Sequence, residues 1–176
     1  LILRMLVFSR ILDPGSKLHT LNHLHKFYGD FDISHQDVLR FMDILTENYD
    51  GYLAHLFDAS NSVIRRNTSI CYFDCTNFYF EIDKENDFQR RGPSKEMRHD
   101  PIVGLGLLLD ANMIPIGMRM YPGNESEKPI IRNIINDLKS QNNINGRTIQ
   151  IADKGLNCAR NIIEATDKCD GYIFSK

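Results

Sequence analysis

Two aspartates stand in places that strands normally avoid. Asp74 lies inside Ile70-Cys71-Tyr72-Phe73-Asp74-Cys75-Thr76-Asn77-Phe78-Tyr79-Phe80-Glu81, a run dense in the aromatic and β-branched residues that strands favour. A carboxylate buried there costs several kcal/mol unless a cation, hydrogen-bond donors or water meet it. Asp153 follows a second β-branched run, Thr148-Ile149-Gln150-Ile151-Ala152, and precedes Lys154-Gly155. Carboxylates carried by two strands to one sheet edge are the ligands that hard divalent cations such as Mg²⁺ require. They are also the core of two-metal phosphoryl-transfer sites. The competing reading makes Asp74 the end of its strand, capping a turn with Thr76 and Asn77. Both readings stand at this point.

Three further groups of residues invite chemistry. Between Phe88 and His99, Arg90, Arg91, Lys95 and Arg98 oppose the single acid Glu96, with Gly92-Pro93-Ser94 turning the chain between them. Such a segment is either a solvated loop or a grip on phosphates. His19, His23 and His25 raise a metal site, and His19 and His23 share a helix face at i, i+4. No Glu or Cys completes a set nearby, so they read as exposed or core histidines. Cys71, Cys75, Cys158 and Cys169 fit no zinc spacing and read as reduced, mostly buried thiols.

The composition is that of an ordinary globular chain. Hydrophobic residues make up 42% and charged residues 25% of 176 positions, enough for one core plus a small helical addition. The formal net charge of -2 gives no global basic field, so any nucleic-acid contact has to be a local patch. No apolar run reaches the roughly 18 residues of a membrane span. The apolar start, Leu1 to Leu12, contains Arg4 and Arg10 and lacks a cleavage pattern, so it is not a secretory signal. A first residue of Leu and a last strand cut at Lys176 read as a segment of a longer chain, and the expected location is cytoplasmic.

The elements that must carry these groups change character near Asn67. Before it the chain is helical: residues 1–12, then a helix from a Ser16 cap to Tyr28 with Leu18, Leu21, Leu24 and Phe27 as its stripe. A third helix opens on a Ser34/Asp37 capping box and buries Val38, Phe41, Met42 and Leu45. Asp50-Gly51 is expected to break the pattern before a fourth helix, to about Arg66, with Leu53, Leu56 and Phe57 inward. After Asn67 the order is the Asp74 strand, then Ile102–Leu109 as an interior strand. Asp110-Ala111-Asn112 is a hairpin turn, and Ile114–Tyr121 is its partner strand. Ser126 is expected to cap a helix with Pro129 in its first turn and Ile130, Ile131, Ile134, Ile135 and Leu138 inward. The strand before Asp153, a helix opened by Asn157 and a strand from Gly171 to Phe174 complete the chain. Three antiparallel strands followed by a helix and parallel additions give an α/β fold, a ribonuclease-H-like mixed sheet incomplete at its C-terminus. It occupies residues 68–176, after a helical region of residues 1–67. In that order the first and fourth strands are neighbours, which brings Asp74 to Asp153.

Several short motifs, in this order, carry a family resemblance. They are Tyr72-Phe73-Asp74-Cys75-Thr76-Asn77, Gly92-Pro93-Ser94-Lys95-Glu96-x-Arg98, Pro101-Ile102-Val103-x-Leu105-Gly106-Leu107-Leu108, Ile114-Pro115-Ile116, Pro122-Gly123-Asn124 and Ala152-Asp153-Lys154-Gly155-Leu156. From about Ile70 to Lys176 the chain resembles the catalytic domain of bacterial insertion-sequence transposases of the DDE class, in the branch with a Tyr-Arg-Glu-Lys signature. The resemblance implies two Mg²⁺ or Mn²⁺ ions in the complete protein, with Asp74 and Asp153 as the first two acids of the triad. The third, a glutamate, lies beyond the strand at Tyr172 in the family, past the end of this chain, and Glu164 does not stand in its place. The implied activity is metal-dependent phosphodiester hydrolysis and strand transfer at element ends. The implied partner is double-stranded DNA, both element ends and target, bound by a homodimer, with no membrane involved. Arg90, Arg91, Lys95 and Arg98 are the expected DNA-backbone contacts. Two alternatives stay open beside it. One is a ribonuclease-H-like nuclease without a transposition role. The other is an inactive remnant that keeps only DNA or partner binding.

Overall fold

A computed structural model describes residues 1–29, 31–93, 99–168 and 170–175. The chain divides into two compact units, residues 1–52 and residues 53–176.

The first unit contains α1 (Ile2–Leu12), α2 (Lys17–Asn22), a 3₁₀ turn at Leu24–Lys26 and α3 (His35–Glu47). The expected long second helix is broken: α2 stops at Asn22, and His23 turns the chain into the 3₁₀ segment. Leu18, from the proposed stripe, is exposed, and Thr20 is buried in its stead, its Oγ1 donating to Ser9 Oγ at 3.3 Å. The α3 start forms as read: Ser34 Oγ accepts from the Asp37 N–H, while the Asp37 carboxylate accepts from the Ser34 N–H. The next helix, α4 (Tyr49–Val63), runs straight through Gly51, so the break falls at Asn48. Along it Leu53 and Phe57 are buried but Leu56 is exposed, because only the former pair shares the inward face.

The second unit is built on one five-stranded sheet in the order β3-β2-β1-β4-β5. The strands are β1 (Ile70–Tyr79), β2 (Ile102–Leu109), β3 (Pro115–Pro122), β4 (Ile149–Ala152) and β5 (Gly171–Phe174). β1 pairs antiparallel with β2, and β2 with β3; β4 is parallel to β1, and β5 to β4. This is the ribonuclease-H-like mixed arrangement, with β2 interior as its apolar run requires. α5 (Glu127–Gln141) and α6 (Ala159–Asp167) supply the crossovers to β4 and β5. Parallel neighbours require such crossovers.

One face of the sheet makes the core. Cys71, Phe73 and Cys75 alternate into it from β1 and meet Ile131, Ile134, Ile135 and Leu138 of α5. Gly106 makes room: a Cβ there would lie 2.6 Å from Ile134 Cδ1 and 2.9 Å from Phe73 Cζ, so a larger residue would force these core side chains to shift. Two corrections concern helix starts. Ser126 sits at the N-cap of α5 without a side-chain cap bond, and α6 begins after Cys158 instead of Asn157. A short 3₁₀ turn, Lys154–Leu156, takes up the residues between.

Candidate active site

Alternation along β1 decides where Asp74 points. Phe73 and Cys75 face the core, so Asp74 between them lies on the opposite, solvent-facing side. The strand continues past it to Tyr79, and Asp74 pairs with Leu107 of β2. The turn reading is therefore excluded. Nor is the carboxylate buried: Asp74 is exposed, and its Oδ1 accepts the Cys75 N–H at 2.8 Å. Strand propensity tolerates an acid here because the side chain projects from the exposed face of the strand.

Parallel pairing with β4 brings in the second acid. The ladder runs through Phe73↔Ala152, and Asp74 and Asp153 are the next residue on each strand. Paired strands lie about 4.8 Å apart, and side chains at matched register positions share a face. Asp153 is exposed and stands at the N-cap of the 3₁₀ turn, with no side-chain cap bond. Its charge is thus not spent on the local backbone.

A third carboxylate joins them, one that the sequence reading passed over. Glu127 opens α5, which runs back from the same sheet edge. A Cβ built on Gly155 would lie 3.3 Å from Asp153 Oδ1 and 3.7 Å from Glu127 Oε2, so both carboxylates flank one point of backbone. Tyr121 reports the same convergence from the core side. Its hydroxyl is buried with no hydrogen-bond partner among the described residues. Its pKa is raised first by that burial, then by Cys75 beside it and by the charges of Glu127 and Asp74. An acid in the first turn of a helix, just past the Pro122-Gly123-Asn124 turn, was the available signal. It is ambiguous because acids are favoured at any helix N-terminus.

A shallow cleft opens here, lined by Asn77, Pro93, Tyr121, Glu127 and Gly155 among others. The basic loop reaches its rim: Asn77 Nδ2 donates to the Pro93 carbonyl at 3.4 Å. Arg90 pairs through its backbone with Ile102 and places its guanidinium 3.5 Å from Asp87. Arg91 donates from Nε to the His99 carbonyl and from Nη2 to the Asp83 carbonyl, 3.1 and 3.2 Å away, and so ties the loop ends together. Lys95 and Arg98 lie outside the described residues.

The donor set is all oxygen, anionic and open to water, which suits a hard divalent cation. These carboxylates are not drawn around one point. Among the described residues, only Asp13, His19 and His23 bring one donor atom each within 4.8 Å of one another. The cysteines beside Asp74 alternate with it along β1 and face the core. Burial, the largest cause, pushes the Cys71 thiol up to about 12, and Cys75 is buried on the core face. Cys158 is half-buried, and Cys169 lies outside the described residues. No described helix is long and apolar enough to cross a membrane.

No family model matches the chain, and no curated protein matches it. Among solved structures it is similar to a Mos1 transposase paired-end complex with the left transposon end, at 9% identity and a TM-score of 0.42 over 98% of this chain and 57% of that one. It is also similar to the catalytic domain of Mos1 mariner transposase, at 8% identity and 0.40, over 82% of this chain and 63% of that one. A third is the Mos1 strand transfer complex, at 12% identity and 0.42, over 98% and 57%. The chain thus spans less than two thirds of the length of each.

Proposed function

We propose that the chain carries part of the catalytic region of a DNA transposase of the DDE class, with Asp74 and Asp153 among its metal-binding acids. One observation supports the reading: the parallel β1–β4 ladder ends at Phe73↔Ala152, so Asp74 and Asp153 each follow the last paired residue of adjacent strands although they are far apart in sequence. The ordered motifs from Tyr72 to Leu156 support the insertion-sequence branch, with residues 68–176 as a partial catalytic core behind a helical region.

The proposed reaction is in-line attack of water on a phosphodiester, leaving a 3′-hydroxyl that then attacks a target strand. When bound, Mg²⁺ or Mn²⁺ supplies charge neutralisation at the phosphate and a more acidic water. Asp74, on the central strand, and Asp153 would hold the divalent ions. Glu127 faces Asp153 across Gly155 and adds negative charge to the same edge. Arg90 and Arg91 lead into the loop that reaches the rim, and with Lys95 and Arg98 they are assigned to the DNA backbone.

The test is plasmid nicking with Mn²⁺ alongside Mn²⁺ binding followed by electron paramagnetic resonance. Asp74→Asn is expected to abolish nicking and weaken binding; nicking that survives it overturns the catalytic assignment. Binding without nicking in the unmodified chain favours an inactive remnant, and nicking without preference for inverted-repeat ends favours a general nuclease. Replacing Arg90 and Arg91 by Ala should lower the salt slope of DNA binding by about one per lost phosphate contact.

A further inference from the structure

A second set of ligand-type side chains lies in the first unit, far along the sequence from Asp74. α1 ends at Asp13, Pro14-Gly15-Ser16 turns the chain, and α2 carries His19 one turn before His23. The sequence shows the histidine pair but not its third member, because Asp13 precedes the turn. The fold closes that gap: one donor atom each of Asp13, His19 and His23 lies within 4.8 Å of the others.

The details match those of a ligating site. His23 Nδ1 lies 2.8 Å from the His19 carbonyl. A carbonyl only accepts, so Nδ1 holds the proton and Nε2 presents its lone pair. A backbone carbonyl on the far nitrogen is the usual support of a metal-bound imidazole. His19 Nε2 lies 3.3 Å from Asp13 Oδ1 yet is buried without a well-formed hydrogen bond. The ring of His19 rests on bare backbone, since a Cβ on Gly15 would lie 2.5 Å from His19 Cδ2. Ser16 Oγ accepts the His19 N–H at 3.0 Å and fixes the first turn of α2. The two imidazoles stand 4.1 Å apart, centroid to centroid, tilted by 37°. His25 is further off, 6.1 Å from His23. Lys26 Nζ holds Asp13 Oδ2 at 3.0 Å, which leaves Oδ1 toward the histidines.

We infer that Asp13, His19 and His23 form a binding site for a zinc-type divalent cation that staples the end of α1 to α2. Two imidazoles and one carboxylate select Zn²⁺ or Co²⁺ over Mg²⁺, the opposite preference to the all-oxygen edge at Asp74. Three protein ligands leave a fourth position for water. Ligand bonds of about 2.0–2.2 Å need only small side-chain rotations from the observed spacing. The role is structural. A helix of six residues, as α2 is, is too short to hold itself together in water, and the ion would tie its one exposed turn to its neighbour.

The test is calorimetric titration of Zn²⁺ into the chelator-treated chain carrying Asp74→Asn and Asp153→Asn, which removes the other acidic site. Co²⁺ absorption then reports the ligand geometry. One equivalent is expected to bind, with His23→Ala weakening it by at least the 10–100-fold that loss of a supporting contact costs. Lys26→Met is expected to tighten it about threefold by removing a nearby like charge, a gain that misfolding cannot produce. Failure of the chain to bind Zn²⁺, or equal affinity in the chain, His23→Ala and Lys26→Met, overturns the site.

Discussion

Replacing Asp74 with Asn should stabilise the metal-free protein and abolish its stabilisation by Mn²⁺. Asp74 and Asp153 follow the Phe73↔Ala152 pair on adjacent strands, whose backbones lie about 5 Å apart. Two like charges at that distance repel by about 0.8 kcal/mol in water and about 3 kcal/mol at an effective dielectric of 20. Both residues are exposed, which puts the effect near the lower figure and makes it fall with added salt. Asn keeps an oxygen for the Cys75 N–H that Asp74 accepts at 2.8 Å, so no backbone donor is orphaned. The expected gain is about 0.5–1 kcal/mol at low salt, a rise in Tm on the order of 2 °C for a chain of this size. With Mn²⁺ at about 100 times its Kd, the unmodified protein gains about 2.7 kcal/mol and the order reverses. Differential scanning calorimetry with and without Mn²⁺ measures both. Equal Mn²⁺ increments in the two proteins, or a metal-free variant less stable by more than 1 kcal/mol, would refute the juxtaposition.

The remaining predictions concern the frame around the site. Asp110 is fully buried at the β2–β3 turn, where it accepts from Arg66 Nε at 2.6 Å and from the N–H groups of Asn112 and Ile114 at 2.9 Å. Arg66 itself lies over the Phe57 ring and also donates to Ser60 Oγ and to the Ile114 and Pro115 carbonyls, so Asp110→Ala leaves a buried guanidinium without its counter-charge. A loss of about 3–5 kcal/mol is expected, read as a lowered urea midpoint; a loss under 1 kcal/mol contradicts the role. Burial opposes ionisation of Asp110, but Arg66 and the N–H donors outweigh it and hold the carboxyl below its ordinary value. Its contribution is therefore complete above the usual carboxylate range and lost as pH falls through the lower folded value, so Asp110→Asn should flatten acid unfolding. Ser34→Ala removes the oxygen that accepts the Asp37 N–H at 3.1 Å and should cost about 1 kcal/mol, measured by urea unfolding.

Much of this protein is local, and the sequence alone determined it. The alternating run from Ile70 made β1, the unbroken apolar run at Ile102 made the interior β2, and Ser34 with Asp37 made the cap of α3. Each follows from periodicity or a hydrogen bond within a few residues. Even the adjacency of the two strands that lead to Asp74 and Asp153 could be read, because strand order fixes which strands are neighbours.

What the sequence left open depended on faces and long-range approach. Whether Asp74 ended a strand or projected from one was decided by its pairing with Leu107 and the alternation of Phe73 and Cys75 into the core. Glu127 looked like an ordinary helix-dipole acid until the crossover brought α5 back to the edge where Asp153 lies. The ion pair of Arg66 with Asp110 spans two elements and had no local signature. Asp13 and the histidines were separated by a turn that erased their periodicity, and only packing of that turn brought them together. Local spacing sets which residues share an element; tertiary contact decides which charges share a space.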